Sequence, residues 1–329
     1  MKGNVSRFTA HTARALTAVT LGVALAASAF VVAPAWADDT QAQADQAATA
    51  IAAAADGTVV APATTGDAAT ATLEDTQVTL PPTSDGAVTM VTTDQSIKPL
   101  VTPVSISLPK ETGGKHAKQA KDGTMVYPGG SGTSADAAVQ VLADGSVRLS
   151  TVLTSKHSPT RFTYTIGGAT PELQADGSVN LVQTTDTGGA LIEATVGTIA
   201  PAWAKDAKGR PVATHYEVKG NGQLVQVVTP DKNTTYPVVA DPKLGWNWHG
   251  IIIYFNRHET SIIGGSTAGA IEIIAGGVGL FYPPIAVVDL VAATISWQAN
   301  LYYNRGQCLK YNWPLVWWAW SSYTGGYCS

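Results

Sequence analysis

Few residues in this chain stand at spacings that do chemistry. The only two cysteines, Cys308 and Cys328, have no third cysteine and no histidine at ligand spacing beside them, which suits one disulfide rather than a metal or redox centre. Two acids, Glu272 and Asp289, each sit alone in an apolar, glycine- and alanine-rich stretch of helical length. An acid in such surroundings is a candidate proton-sensitive switch, because protonation removes most of the cost of burying it. Between the cysteines lie Trp313, Trp317, Trp318 and Trp320, candidate contact residues for a partner surface. Other signatures are incomplete. Gly129-Gly130-Ser131-Gly132 and Gly264-Gly265-Ser266 do not form G-x-S-x-G, and neither follows an apolar strand. His116, His157, His215, His249 and His258 are scattered, with no H-E-x-x-H. Asp206, His215 and Glu217 form a catalytic group only if the fold gathers them, and their spacing does not argue for it. The sequence therefore points to no catalytic residue, no metal ligand and no cofactor.

The two acids belong to elements whose form is readable. Asn256 reads as a helix N-cap with Glu259 three residues on, so that His258-Glu259 is first-turn helix. From Thr260 to Tyr282 helical spacing gathers Gly265, Gly269, Glu272, Gly276 and Gly279 on one side; Ala286, Asp289, Ala293, Ser296 and Asn300 do the same in the next segment. Small residues four apart let two helix backbones approach closely, and Pro283-Pro284 separates the pair. The expectation is a helical hairpin with one carboxylate on each small-residue face. As a strand, Tyr311 to Trp320 would have two greasy sides. Either both sides are core, or one covers the helices and the other meets lipid headgroups, a glycan or another protein. Gly325-Gly326 turns the chain so that Cys328 meets Cys308, closing a loop of about 20 residues worth roughly 3 kcal/mol.

Upstream, from about Glu74 to Pro242, apolar residues alternate, as in RFTYTI and LVQVV, with Asp-Gly, Asn-Gly or Gly-Gly punctuation roughly every 8 to 12 residues. Ala143-Asp144-Gly145-Ser146-Val147 and Ala175-Asp176-Gly177-Ser178-Val179 repeat one phrase, read as two similar hairpin turns rather than calcium loops. Residues 38–73 are rich in Ala, Thr, Gln, Asp and Gly without an aromatic and read as a disordered linker. Before them stand a basic start with Lys2, Arg7 and Arg14, an apolar run from Ala15 to Val32, and Ala35-Trp36-Ala37. That is the pattern of a secretory signal peptide over 1–37, cut after Ala37. Its removal shifts the formal charge from −4 to −7, which disfavours nucleic acid as a partner.

The string APAWAKDAKGRPVATHYEV, followed by LVQVV and TYPVVADP, resembles a module of secreted actinobacterial proteins of uncharacterised function, over roughly residues 162–242. The tail is similar to the C-terminal segment of the same proteins, through Tyr254, Phe255, Asn256, Arg257, Glu259, Thr260, Cys308, Lys310, Tyr323, Gly325, Gly326 and Cys328. The resemblance implies a module placed directly before a variable C-terminal segment that a cysteine pair closes. It implies no particular activity, and Trp317-Trp318-Ala319-Trp320 departs from the pattern.

The expectation is a mainly β, sandwich-like domain over 74–242, followed by a small α+β unit over 243–329 made of a helical hairpin and a disulfide-closed β hairpin. The expected role is that of a secreted, non-enzymatic interaction protein, envelope-associated or free, whose tail meets a protein, a glycan or a membrane surface. The competing expectation is a hairpin that inserts into membranes as a pore-forming or antimicrobial-like module.

Overall fold

A computed structural model describes residues 38–65, 68–73, 76–93, 102–114, 116–130, 135–186, 190–245, 250–268, 286–312 and 320–328. The signal-peptide expectation for 1–37 lies outside them. In chain order the strands are β1 (Ala63–Thr65), β2 (Ala68–Leu73), β3 (Thr76–Leu80), β4 (Ala87–Thr92), β5 (Val104–Ser107), β6 (Lys118–Gln119), β7 (Met125–Tyr127), β8 (Ala135–Val141), β9 (Val147–Leu153), β10 (Arg161–Gly167), β11 (Thr170–Leu173), β12 (Val179–Asp186), β13 (Leu191–Ile199), β14 (Trp203–Asp206), β15 (Ala213–Lys219), β16 (Gln223–Thr229), β17 (Val238–Asp241), β18 (Lys243–Gly245), β19 (Gly250–Tyr254), β20 (Cys308–Asn312) and β21 (Trp320–Tyr323). The helices are α1 (Asp38–Ala54), α2 (Arg257–Gly265) and α3 (Ala286–Asn304).

Two sheets form. One runs β1-β2-β3-β4-β5-β10-β16-β15; the other runs β21-β20-β19-β13-β18-β9-β8-β7-β6, with β11, β12, β14 and β17 attached. The alternation read from the sequence is the burial pattern of β4 and β10, whose inward Val88, Met90, Phe162, Tyr164 and Ile166 meet Val139, Leu149, Val179, Leu181 and Val196 of the larger sheet in one core. This is the sandwich-like packing expected of two antiparallel sheets with one apolar face each. The two repeated turns are alike: Asp144 Oδ1 accepts from the Ser146 amide at 3.0 Å, Asp176 Oδ1 accepts from the Ser178 amide at 2.9 Å, and Gly145 and Gly177 hold φ of 82° and 84°. Each side-chain cap leaves the following glycine to take the left-handed conformation that closes the hairpin.

β8 and β9 are buried at every position, which one sheet face alone cannot achieve. The second cover is α1. Ala44, Ala47, Ala48, Ile51 and Ala54 pack against Val126, Ala138, Val152 and Val239 on the outer face of the larger sheet. The disordered-linker reading of 38–73 is therefore overturned, since that stretch supplies a packed helix, the edge strand β1 and its neighbour β2. The physical reason lies in the spacing. Positions 44, 47, 48, 51 and 54 fall on one helical stripe, and alanine on that stripe allows a close approach that the low bulk hydrophobicity of the segment conceals. Polar groups lock the helix in place. Gln43 Nε2 donates to Asp136 Oδ1 at 2.7 Å, Lys121 pairs with Asp45 at 3.3 Å, and Lys205 Nζ donates to the Ala54 carbonyl at 2.7 Å, where a cation satisfies the end of the helix.

The boundary placed between 242 and 243 is likewise not a break between bodies. β18 pairs with both β9 and β13, and β19 pairs with β13 over Thr195↔Gly250 to Leu191↔Tyr254. The C-terminal unit is built onto the larger sheet, with β20 and β21 continuing it beyond β19.

Candidate functional site

The C-terminal unit grows from the end of β19. Asn256 is extended (φ −72°, ψ −176°); its side chain accepts from the Glu259 amide at 2.9 Å, and Glu259 Oε2 accepts from the Asn256 amide at 2.7 Å. The expected capping box is thus present, and it takes up two of the free amides at the start of α2. Glu259 is 6% exposed and its other oxygen accepts from Tyr327 Oη at 2.9 Å. Burial and then this carboxylate push the Tyr327 phenol up to about 12. Arg257 donates to the Tyr303 and Gln307 carbonyls at 2.8 and 3.1 Å and lies 4.1 Å over the Tyr303 ring, closing the C-terminal end of α3. Thr260 Oγ1 accepts from the Leu309 amide at 3.1 Å, and Tyr323 Oη donates to the Phe255 carbonyl at 3.0 Å. Tyr254 and Tyr323 meet edge to face at 5.0 Å. Cys308 and Cys328 form the expected disulfide. These residues tie one helix start, one helix end and the chain's last turn into a single knot, so their residue types are accounted for by structure.

Of the predicted contact residues, Trp313, Trp317 and Trp318 lie outside the described residues. Trp320 is corrected: it is 7% exposed, 4.5 Å from the Tyr311 ring and 6.3 Å from Phe255. Pairing opposite Tyr311 in the β20–β21 register turns it into the core, so Trp320 closes the hairpin and is not a contact surface. Glu272 lies outside the described residues, and Asp289 falls in the first half of α3, its side chain undescribed. The helix expected from Thr260 to Tyr282 is interrupted at Ser266 and resumes at Thr267 and Ala268, and its remainder, 269–282, lies outside the described residues. α2 ends at Gly265, and Ser266 is extended at φ −163°, ψ 155°; adjacent glycines are poor helix formers and serine suits a helix boundary.

The close approach of the two helices occurs one residue from where helical spacing put it. A Cβ on Gly264 would lie 2.7 Å from the Asn300 amide nitrogen and 2.9 Å from its Cα, whereas one on Gly265 would meet nothing. Ile295 and Ala299 bury the inner side of α3. Among the described residues its outer side has no partner helix. Trp297 is 66% exposed there, and a groove of about 390 Å³ is lined by Gly264, Ala293, Ser296, Trp297, Asn300 and Asn304. Asn304 Nδ2 donates to Asn300 Oδ1 at 2.8 Å, and Asn300 Nδ2 donates to the Gly264 carbonyl at 3.4 Å. From Leu290 to Asn304 the helix has no ionisable side chain except its two tyrosines. Sequence reasoning passed over Trp297, although it stands four residues after Ala293 and three before Asn300, on the small-residue face already identified.

Elsewhere the titratable groups are committed to the scaffold. Asp206 is 4% exposed and accepts from the Arg210 side chain and from the amides of Lys208, Arg210 and Thr235; the Arg210 guanidinium, foremost, holds its carboxyl below the usual range. His215 Nε2 is 3.7 Å from Glu217 Oε1, but Glu217 is held at about 2 by Arg161 and Lys219. A carboxylate so stabilised is a weak base. Beneath the turn after α1, Arg148 Nε lies 2.8 Å from Asp241 Oδ2 with both side chains buried. Arg148 also donates to Gln140 Oε1 at 3.0 Å and to the Asp56 carbonyl at 2.6 Å. Burial raises the Asp241 carboxyl, and Arg148 opposes that rise. Among the described residues, no group of three or more His, Cys, Asp or Glu side chains is placed to hold a metal, and no helix is long and apolar enough to cross a membrane. No protein-family model matches the chain, and neither a curated protein nor a solved structure does.

Proposed function

We propose that the protein is exported and acts outside the cell, free or attached to the envelope, as a non-enzymatic interaction protein whose contact face is the outer side of α3 in its C-terminal unit. The observation that carries this reading is Trp297, an indole 66% exposed on a helix whose other side is packed. Placing a large aromatic in water wastes burial worth about 2 kcal/mol, and exposed aromatics beside a groove are what binding surfaces use. The disulfide supports an oxidising compartment. The sequence pattern of 1–37 and the resemblance to secreted actinobacterial proteins point the same way.

The contact reading is tested by co-sedimentation of the purified, disulfide-bonded protein with isolated actinobacterial cell walls and with intact cells. Retention that falls about tenfold on Trp297→Ala, with an unchanged melting temperature, is the expected result. Equal retention of wild type and variant, or none of either, overturns it. Export is tested separately by mass spectrometry of the medium: a chain beginning at Asp38 is expected, and intact protein retained in the cytoplasm argues against export.

A further inference from the structure

We propose that the groove between α2 and α3 is a binding site for a neutral saccharide unit. This rests on the reading of the α3 face as a contact surface and adds the class of ligand.

The argument is one of matching chemistry. Gly264, Ala293, Ser296, Trp297, Asn300, Leu301 and Asn304 line the groove, and none is charged. Among the described residues an anionic ligand would meet no cation there, and a cationic one no carboxylate. A purely apolar ligand, such as an acyl chain, would bury Ser296, Asn300 and Asn304 without partners, at about 1–3 kcal/mol each. The surface asks for a molecule that is apolar on one flat face and rimmed with uncharged donors and acceptors. A pyranose ring has both: its axial C–H face stacks on an indole, and its equatorial hydroxyls suit hydroxyl and side-chain amide groups, which both donate and accept.

The polar groups are held ready. The Gly264 carbonyl accepts from Asn300 Nδ2, and Asn300 Oδ1 accepts from Asn304 Nδ2. A chain of bonds therefore runs along the groove from the α2 backbone and fixes both amides before a ligand arrives, which lowers the cost of binding. The missing Cβ of Gly264, with Asn300 backbone where that carbon would be, is what lets the α2 carbonyl reach this chain. At about 390 Å³ the groove is near the lower end of small-molecule sites and suits one or two sugar rings, with affinity on the order of millimolar per site.

The test is a titration of the ¹⁵N-labelled full chain followed at its indole N–H signals. Trp297 is the signal missing from Trp297→Phe. Cellopentaose, laminaripentaose and maltopentaose are each added to about 10 mM, a range that reveals millimolar binding, and phosphatidylcholine vesicles are added in a separate series. The Trp297 signal is expected to shift with at least one saccharide. Apparent affinity should fall about tenfold or more in Trp297→Ala and several-fold in Asn304→Ala, and be largely retained in Trp297→Phe. No shift with any saccharide overturns the inference, as does a shift with vesicles alone, which assigns the face to lipid. Equal loss in Trp297→Phe and Trp297→Ala also overturns it, because stacking needs only an aromatic ring. If cell-wall retention depends on Trp297 while no saccharide moves its signal, only the ligand class has failed. If retention ignores Trp297, the contact reading itself has failed.

Discussion

α1 and α3 both lie against a sheeted core, yet they treat their surroundings in opposite ways. α1 turns a stripe of alanines and Ile51 onto the sheet and is fastened along its length by Gln43, Asp45 and the Lys205 bond to its last carbonyl. The chain that follows it covers a buried ion pair through the Asp56 carbonyl. α3 buries Ile295 and Ala299 but leaves Trp297 in water among the uncharged Ala293, Ser296, Asn300 and Asn304. A helix whose job is cover spends its large side chain inward and its polar ones on the neighbours. A helix that keeps its largest side chain outward, with uncharged groups around it, fits the contact role proposed for α3 better than a covering one.

The largest expected effect strikes the covered side. Arg148→Leu leaves Asp241 without its partner at a site where both side chains are buried, and breaking such a pair costs about 3–5 kcal/mol. The loss is expected to depend on pH. With Arg148 gone, burial is opposed only by the lesser pull of Lys243 and Trp203 on Asp241, so its folded-state pKa rises further above its unfolded value and the folded state binds the extra proton between the two. The variant should therefore lose stability as pH rises from about 4 through that folded pKa. Urea unfolding of wild type and variant at pH 5 and pH 8 measures this. A variant as stable as wild type at pH 8 would mean the ion pair is not held out of water.

The next effect sets the two helices side by side. Ile51 is fully buried under α1, so Ile51→Ala should cost about 2–4 kcal/mol, while Trp297→Ala should lie within about 0.5 kcal/mol of wild type. Equal costs would erase the distinction between cover and presentation. A negligible cost at Ile51 would restore the picture of a loose tether.

A smaller contrast lies inside the α2–α3 pair. Gly264→Ala places a methyl 2.7 Å from the Asn300 nitrogen, a backbone atom that cannot swing aside, and should cost about 1–3 kcal/mol by forcing the helices apart. Gly265→Ala enters open space and should be neutral within about 0.5 kcal/mol. Thermal unfolding of the two variants decides it, and a reversed order would move the close approach back to the residue that helical spacing alone suggests.

That one-residue difference shows how far the sequence carries. Alternation, Asp-Gly turns, the capping box at Asn256 and the cysteine pair are local signals, each set by residues within a few positions of one another, and they account for the sandwich, the α2 start and the closed tail. What escaped was non-local. Alanines at 44, 47 and 48 look like linker until a sheet lies opposite them, and the buried Asp136 and Gln140 of β8 take partners that arrive from elsewhere, Gln43 and the Gly129 amide for one, Arg148 and Thr124 for the other. Trp320 looked exposed because strand alternation fixes which residues share a face, not which face is inward. Only its pairing with Tyr311 decides that.

The smallest expected effect concerns acid, and it tests the solvent side of the scaffold that both helices flank. Slight burial works to raise Asp144, but hydrogen bonds from Lys243 and Ser146 prevail and hold it at about 2, while Arg161 and Lys219 hold Glu217 at about 2. Both folded-state values lie below the ordinary ones near 4, so the unfolded chain binds more protons as pH falls. The stability these groups supply is present above about pH 5 and is lost progressively towards pH 2. Lys243 is 33% and Asp144 58% exposed, and solvent screens such a pair, so Lys243→Met should alter stability at pH 7 by less than about 0.5 kcal/mol. It should also flatten the acid limb of the urea midpoint plotted against pH. A limb as steep in the variant as in wild type would shift the acid sensitivity onto Asp206, whose bonds to Arg210 and to the Thr235 amide hold the 230–235 loop against β14.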